Sequence, residues 1–215
     1  MSITMSGPIM ELARTAYHMC ILDRDRYLSS DDNNLSMNAL TVFILTATAL
    51  EAFINEVSFF QFHWLKKKPP VSRKKVEKMK IRQKYASLPQ IFWDRTFEIE
   101  KPPYQDFDML IELRNAHVHY KMEELGMHET PEYLSYLRGK NLLYANDKPD
   151  DYFIPTPQYC NSKAALWAYN TTCQMATRLI ELSDAETKDF WQSVILSNFQ
   201  EIPELYWRSL VSGSK

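Results

Sequence analysis

The pattern of apolar positions predicts a mostly helical chain organised around one buried helix. The most hydrophobic segment runs from Ser36 to about Leu65 and contains neither proline nor glycine. It is too long and too continuous for a strand, so we expect it to form the central helix. Its polar residues fall within about 100° of one another on a helical projection and form one stripe. The stripe consists of Thr41, Thr48, Glu51, Asn55 and Ser58, and Glu51 is its single charge.

Six further helices follow from the same apolar periodicity and from prolines and caps at their ends. They span residues 8–28, 71–87, 104 to about 120, 131–138, 164–182 and 185–199. Residues 88–103 and the acidic, proline-containing segment 146–157 are expected to be irregular, and a final turn follows Pro203. Because a chain of 215 residues can bury a sizeable core, we expect a single all-α domain over residues 1–215. The predicted architecture is an up-and-down helical bundle with additional C-terminal helices.

Composition indicates an ordinary globular protein of a reducing compartment. Hydrophobic residues make up 45% of the chain, and only four glycines occur. Three widely spaced cysteines do not form the pattern of a disulfide framework, which favours a cytoplasmic location. Charged residues arrive too early for a signal peptide, and the longest uncharged run, residues 35–50, is too short to span a membrane. We therefore expect a cytoplasmic protein that does not span a membrane.

A strongly basic segment lies within an otherwise acidic chain. Ten of the 25 basic residues lie between Lys66 and Lys84, where Glu77 is the one acid. The remaining 15 basic and 26 acidic residues have a balance of −11. Such a local concentration, within an insert over about 66–87, indicates a polyanionic partner, although a solvated helix face is the alternative. The candidate contacts are Lys66, Lys67, Lys68, Arg73, Lys74, Lys75, Lys78 and Arg82.

The segment Leu113–Tyr120 holds an arginine, an amide and two histidines within six residues. At about 100° per residue, one polar stripe of the predicted helix collects Asp108, Glu112, Asn115 and His119. Arg114 instead falls inside the apolar arc, where a cation is costly unless a partner meets it. The sequence therefore predicts a functional or structural partner for Arg114.

A metal site is the first chemistry to consider, because His117, His119 and His128 could be joined by Glu112. Side chains two apart on a helix point about 160° away from each other, so His117 and His119 do not share an ion on a regular helix. No Cys-x-x-Cys pair strengthens the metal hypothesis, and the scattered glycines supply no phosphate-cradling loop. We expect no metal and no cofactor.

The spacing Arg114-Asn115, three residues, then His119 resembles the Arg-Asn-x-x-x-His signature of the HEPN superfamily. That superfamily comprises all-helical domains, many of which are metal-independent ribonucleases. Residues 49–56, Ala-Leu-Glu-Ala-Phe-Ile-Asn-Glu, are similar to the second helix of bacterial HEPN proteins, and residues 164–182 are similar to their late helix. The resemblance covers most of the chain at low identity and implies a HEPN-like bundle.

The resemblance implies RNA cleavage by attack of a ribose 2′-hydroxyl on the adjacent phosphate, in a cleft between two protomers. The residue types suit this chemistry, because His119 titrates near neutral pH and Arg114 can stabilise charge growing on the phosphate. Asn115 could orient the imidazole or the phosphate, and Glu51 is the natural partner that fixes the guanidinium of Arg114. The implied role is a toxin or an abortive-infection effector in antiviral defence, with RNA, a second copy and an antitoxin or regulatory protein as partners.

The chain departs from the family pattern near the histidine. Toxin members often place a tyrosine two residues after it, whereas Lys121 occupies that position here and Tyr120 comes one residue early. His117 is a second unusual feature, because it could replace His119 or line the core.

Alternatives to catalysis also fit these residues. Arg114 and Glu51 could form an ion pair that only fixes helix register, and His119 could be an exposed histidine with no task. The chain would then be a catalytically inactive HEPN-like module that binds RNA or protein, or a dimerisation domain.

Overall fold

Eight α-helices and no strand occur in the part of the chain that the structure, a computed structural model, describes. It describes residues 6–27, 37–118, 131–143 and 160–203, with side chains for all of these except residues 20–27 and Met37. The helices are α1 (Ser6–Tyr27), α2 (Met37–His63), α3 (Arg73–Glu77), α4 (Ile81–Trp93), α5 (Tyr104–Val118), α6 (Glu132–Gly139), α7 (Ser162–Glu181) and α8 (Ala185–Asn198). The predicted all-α class is confirmed for these residues.

Helix α2 is the centre of the fold, as its apolar run predicts. It packs against α1, α7, α5 and α4, and its buried face includes Phe43, Leu50, Phe53 and Ile54, all fully buried. Burial of each such side chain is worth roughly 1.5–3 kcal/mol, so this face is a major part of the core. Most of the predicted polar stripe lies on the opposite, exposed side, where Glu51 is among the exposed residues.

By length and composition, residues 38–63 would also suit a membrane span, with a mean hydropathy of 1.5 over the most apolar window. Half of that window is buried inside the fold. A core helix of a globular protein meets the same criterion, and the contacts of α2 with four neighbouring helices provide such an environment.

The basic helix predicted over 71–87 is wrong in its extent, because the segment forms two helices. Between α3 and α4, Lys80 adopts an extended backbone with φ −63° and ψ 155°. The side chain of Gln83 accepts the Lys80 N–H at 3.1 Å, which caps the start of α4. The irregular segment predicted over 88–103 is also wrong in its first six residues, because α4 continues through Pro89 to Trp93. Burial of Leu88 and Pro89 in the core compensates for the missing N–H of the proline.

Side-chain caps set the starts of the two helices that complete the bundle. Asn161 accepts the Ala164 N–H at 2.9 Å before α7, and Asp184 accepts the Thr187 N–H at 3.0 Å before α8. Most of the predicted loop 146–157 and the turn expected after Pro203 lie outside the described residues.

Candidate functional site

The predicted partners Glu51 and Arg114 meet where α2 packs against α5. Nη2 of Arg114 lies 3.8 Å from Oε2 of Glu51, and Nη1 donates to Oδ1 of Asn115 at 3.0 Å. The Arg114 side chain is 27% exposed and the Glu51 side chain 52% exposed. An ion pair this long and this exposed contributes at most about 1 kcal/mol to stability. Its main consequence is therefore orientation, because it holds the guanidinium of a partly exposed side chain in place.

The histidine of the motif, His119, lies outside the described residues, as do Tyr120, Lys121 and His128. His117 is described and is half-buried on α5. Burial lowers the pKa of His117, because the charged imidazolium loses hydration. Of the predicted catalytic set, the structure thus brings together Glu51, Arg114 and Asn115.

The same stripe of α5 begins with two acids that neutralise a predicted RNA contact. Arg82 of α4 forms ion pairs with Asp108 and, at 3.3 Å, with Glu112. It also donates to the backbone carbonyl of Asp108 at 2.7 Å. The guanidinium of Arg82 therefore joins α4 to α5, and the two carboxylates neutralise its charge.

Two other members of the predicted basic set are also engaged in ion pairs. Lys67 binds Asp184 at 2.8 Å, and Arg73 binds Glu77 at 2.5 Å while its other nitrogen contacts His63. The side chains of the remaining five predicted contacts are exposed, and no ion pair joins them to an acid within the described residues. These five are Lys66, Lys68, Lys74, Lys75 and Lys78, and Lys80 shares both properties. Fewer basic side chains are therefore available to a polyanion than the sequence predicted.

Lys84 is a buried cation, although it belongs to the basic segment Lys66–Lys84 and was not predicted as a contact. The residue is 8% exposed, and its ammonium donates to Oδ1 of Asn55 at 2.5 Å. Burial lowers its pKa, and the negative charges of Glu51 and Glu77 partly oppose that shift. The sequence pattern indicates this burial, because Lys84 lies at helical spacing between Ile81 and Leu88 on the apolar face of α4.

A cleft of about 480 Å³ opens beside Lys84. We call it the aromatic cleft, because half of its lining residues are aromatic: they come from α2, from Trp64 just after α2, and from α8. The lining consists of Asn55, Glu56, Ser58, Phe59, Phe60, Phe62, Trp64, Arg73, Glu77, Lys84, Phe190 and Trp191. Asn55 stands one helical turn after Glu51 on α2, so the cleft begins about 6 Å along the helix from the Glu51–Arg114 pair.

No group of three or more His, Cys, Asp or Glu side chains that could hold a metal ion occurs among the described residues. The thiols of Cys160 and Cys173 are buried, and burial raises the pKa of the Cys173 thiol well above its ordinary value. A buried, protonated thiol is a poor nucleophile. Besides the exposed lysines, the described residues thus contain two candidate ligand sites: the aromatic cleft and the Arg114 cluster, a name that we use for Glu51, Arg114 and Asn115.

Comparison with known proteins adds no relative to this picture. The chain matches no protein-family model, and neither a curated protein nor a solved structure matches it. The resemblance to HEPN domains therefore rests on the sequence alone.

Proposed function

We propose that this protein is a HEPN-type, metal-independent endoribonuclease that acts as a toxin or an abortive-infection effector. The observation that carries the proposal is the contact of Arg114 with both Glu51 and Asn115. These three residues lie in two distant segments of the sequence, and their side chains meet in the fold. A guanidinium held between a carboxylate and an amide is suited to a phosphate, because its planar donors match phosphate oxygens.

The proposed reaction begins when a base removes the proton of a ribose 2′-hydroxyl. The oxygen attacks the adjacent phosphorus, and the bond from phosphorus to the 5′-oxygen of the next nucleotide breaks as that oxygen receives a proton. The products are a 2′,3′-cyclic phosphate and a 5′-hydroxyl. In this scheme His119 transfers protons and Arg114 stabilises the charge on the phosphate in the transition state. Glu51 acts as a positioning residue, because it fixes the guanidinium without contacting the RNA.

Paired substitutions test the catalytic assignment. We expect Arg114→Ala and His119→Ala each to lower the rate of RNA cleavage by about 100-fold or more, because each removes a group required in the transition state. The measurement is cleavage of unpaired RNA in the presence of a chelator, with analysis of the product ends for a 2′,3′-cyclic phosphate. Growth inhibition on expression in cells provides a second measurement.

The matched control is Arg178→Ala, which removes an exposed helical arginine that pairs with Glu181 at 3.0 Å. Its cleavage rate should equal that of the unmodified protein, and thermal unfolding should show that all variants fold. Cleavage and growth inhibition that persist unchanged in both Arg114→Ala and His119→Ala would end the ribonuclease proposal.

A catalytically inactive RNA-binding module is the second candidate. The specific observation in its favour is the row of exposed lysines, which would attract RNA whether or not any bond is cut. Salt-dependent RNA binding without any cleavage would select this function.

A further inference from the structure

Large aromatic side chains from two helices stand at the surface around the aromatic cleft. Phe59 is 51% exposed and Trp64 56% exposed, and Phe190 of α8 is also exposed. Phe190 stacks on the buried ring of Phe60 at 4.3 Å and lies 6.1 Å from the ring of Trp64. Contacts with the core thus hold part of this surface in place before any ligand binds, which reduces the entropy lost on binding.

The charges within the cleft favour an anionic ligand. Lys84 carries three ammonium donors, and its ammonium donates a hydrogen bond to the neutral amide of Asn55. Glu51 and Glu77 also act on this cation, but no ion pair joins either of them to Lys84 within the described residues, so its other ammonium donors can bind an anion at hydrogen-bond distance. The two acids of the lining are already engaged, because Glu56 accepts the N–H and hydroxyl of Ser6 at 3.1 and 2.7 Å, and Glu77 pairs with Arg73.

The cleft also continues into a basic surface. Lys66 and Lys68 lie two and four residues after Trp64. Lys74, Lys75 and Lys78 lie on or next to α3, which contributes Arg73 and Glu77 to the lining. Exposed rings beside a track of cations are the arrangement that proteins use for unpaired nucleic acid, since bases stack on the rings while phosphates contact the cations.

We propose that the aromatic cleft binds an unpaired nucleotide of an RNA chain, with its base against Phe59 and Trp64 and its phosphate towards Lys84. The adjoining RNA backbone extends along the exposed lysines. This inference rests on the proposed function, for which it supplies the substrate class: single-stranded rather than duplex RNA. The cleft begins one turn of α2 from the Glu51–Arg114 pair, so an RNA held there reaches the Arg114 cluster along the same helix.

Binding and cleavage are separated by using RNA that lacks the attacking group. The probe is a fluorescent RNA of about ten unpaired nucleotides with 2′-O-methyl riboses, compared with a duplex of the same length. Anisotropy gives the Kd at one fixed salt concentration. We expect Phe59→Ala and Trp64→Ala each to weaken binding of the unpaired RNA by roughly 5- to 100-fold, because a stacked base loses its platform. Trp64→Phe should retain most of the affinity, and the duplex should show little dependence on either ring.

Charge and surface controls complete the design. Lys84→Gln should also weaken binding of the unpaired RNA, whereas Lys163→Gln removes an exposed lysine of α7 and should have no effect. Leu12→Ala, at a side chain 58% exposed on α1, controls for the loss of exposed apolar surface. Thermal unfolding of each variant shows whether it folds, and sedimentation reports its oligomeric state.

Three outcomes separate this inference from the nuclease proposal. Unchanged affinity in Phe59→Ala and Trp64→Ala overturns the cleft assignment, and it leaves the nuclease proposal intact if cleavage still depends on Arg114. A change in oligomeric state in place of a change in RNA affinity also overturns it, because the rings would then form a protein interface. The unmodified protein could also bind unpaired RNA without cleaving it, while the cleft variants lose that binding. This result supports the cleft assignment and ends only the nuclease proposal.

Discussion

Asp184 links the start of α8 to the loop that follows α2. Its carboxylate caps α8 through the Thr187 N–H and pairs with Lys67 at 2.8 Å. Burial by itself would raise the pKa of Asp184, but the hydrogen bonds from Lys67 and Thr187 outweigh it and lower the pKa below the ordinary value of 3.8. Since Phe190 stands on the second turn of α8, this cap also helps to place one wall of the aromatic cleft.

We expect Asp184→Ala to lower the free energy of unfolding by about 1 kcal/mol, as is typical for the loss of an N-cap. Because folding lowers the pKa, the contribution is complete above the unfolded value and is lost as the pH falls through the folded value. The difference between the two proteins, measured by urea unfolding, should therefore shrink as the pH drops below 3.8. Asp189→Ala, at an exposed site on the same helix, is the control. A difference that is as large in acid as at neutral pH would contradict this role.

At the scale of the helices, Asp106 joins three elements. Its buried carboxylate on α5 accepts the Trp167 Nε1–H of α7 at 2.6 Å and the Tyr136 hydroxyl of α6 at 3.2 Å. It also pairs with Lys140, which follows α6, at 2.6 Å. The hydrogen bond to Asp106 and burial both raise the pKa of Tyr136, with burial the larger cause. A single side chain thus fixes how α6 and α7 pack on the helix that carries Arg114.

Asp106→Ala should lower the free energy of unfolding by about 3 kcal/mol, because it leaves the Trp167 N–H and the Tyr136 hydroxyl without their acceptor. Urea unfolding measures the loss. Hydrogen exchange should show the largest increase in α6, which is short and has few other contacts with the rest of the fold. Glu98→Ala, which removes an exposed carboxylate 3.6 Å from Lys101, should change the stability by less than about 1 kcal/mol. Equal stability losses in the two variants would refute the proposed role of Asp106.

At the scale of the whole molecule, the proposed site calls for a second copy. Arg114 and His119 are five residues apart, and on a regular helix their side chains diverge by about 140°. In a two-fold symmetric dimer, Arg114 of one protomer can face His119 of the other, and each dimer then holds two equivalent sites. A homodimer with shared sites is therefore part of the proposed mechanism.

Mixing inactive variants tests the shared site. An equal mixture of Arg114→Ala and His119→Ala chains, exchanged under mild denaturation, should regain about a quarter of the unmodified cleavage rate. Half of the dimers are then mixed, and each mixed dimer has one complete site. If sedimentation shows mixed dimers but the cleavage activity does not return, both residues of a site must belong to one chain. A protein that is monomeric at its working concentration and fully active would also refute the shared site.

The sequence by itself determined most of the helices and the central position of α2. Long apolar periodicity reports which face of a helix is buried, and prolines and caps mark where a helix begins, so α1, α2, α5, α7 and α8 followed from local patterns. It also predicted the Glu51–Arg114 pair, since a charge in an apolar arc requires a partner and α2 offered one lone carboxylate in its polar stripe.

Apart from the Glu51–Arg114 pair, only the tertiary structure decided which side chains meet. The break between α3 and α4 and the passage of α4 through Pro89 depend on burial against other helices, which outweighs local propensity. Tertiary contacts also decide which basic side chains of the segment Lys66–Lys84 remain available to a ligand. Lys67, Arg73 and Arg82 pair with acids, Lys84 is buried, and the others are exposed. The aromatic cleft joins α2 to α8 across more than 100 residues, and local periodicity carries no information on contacts between such distant faces.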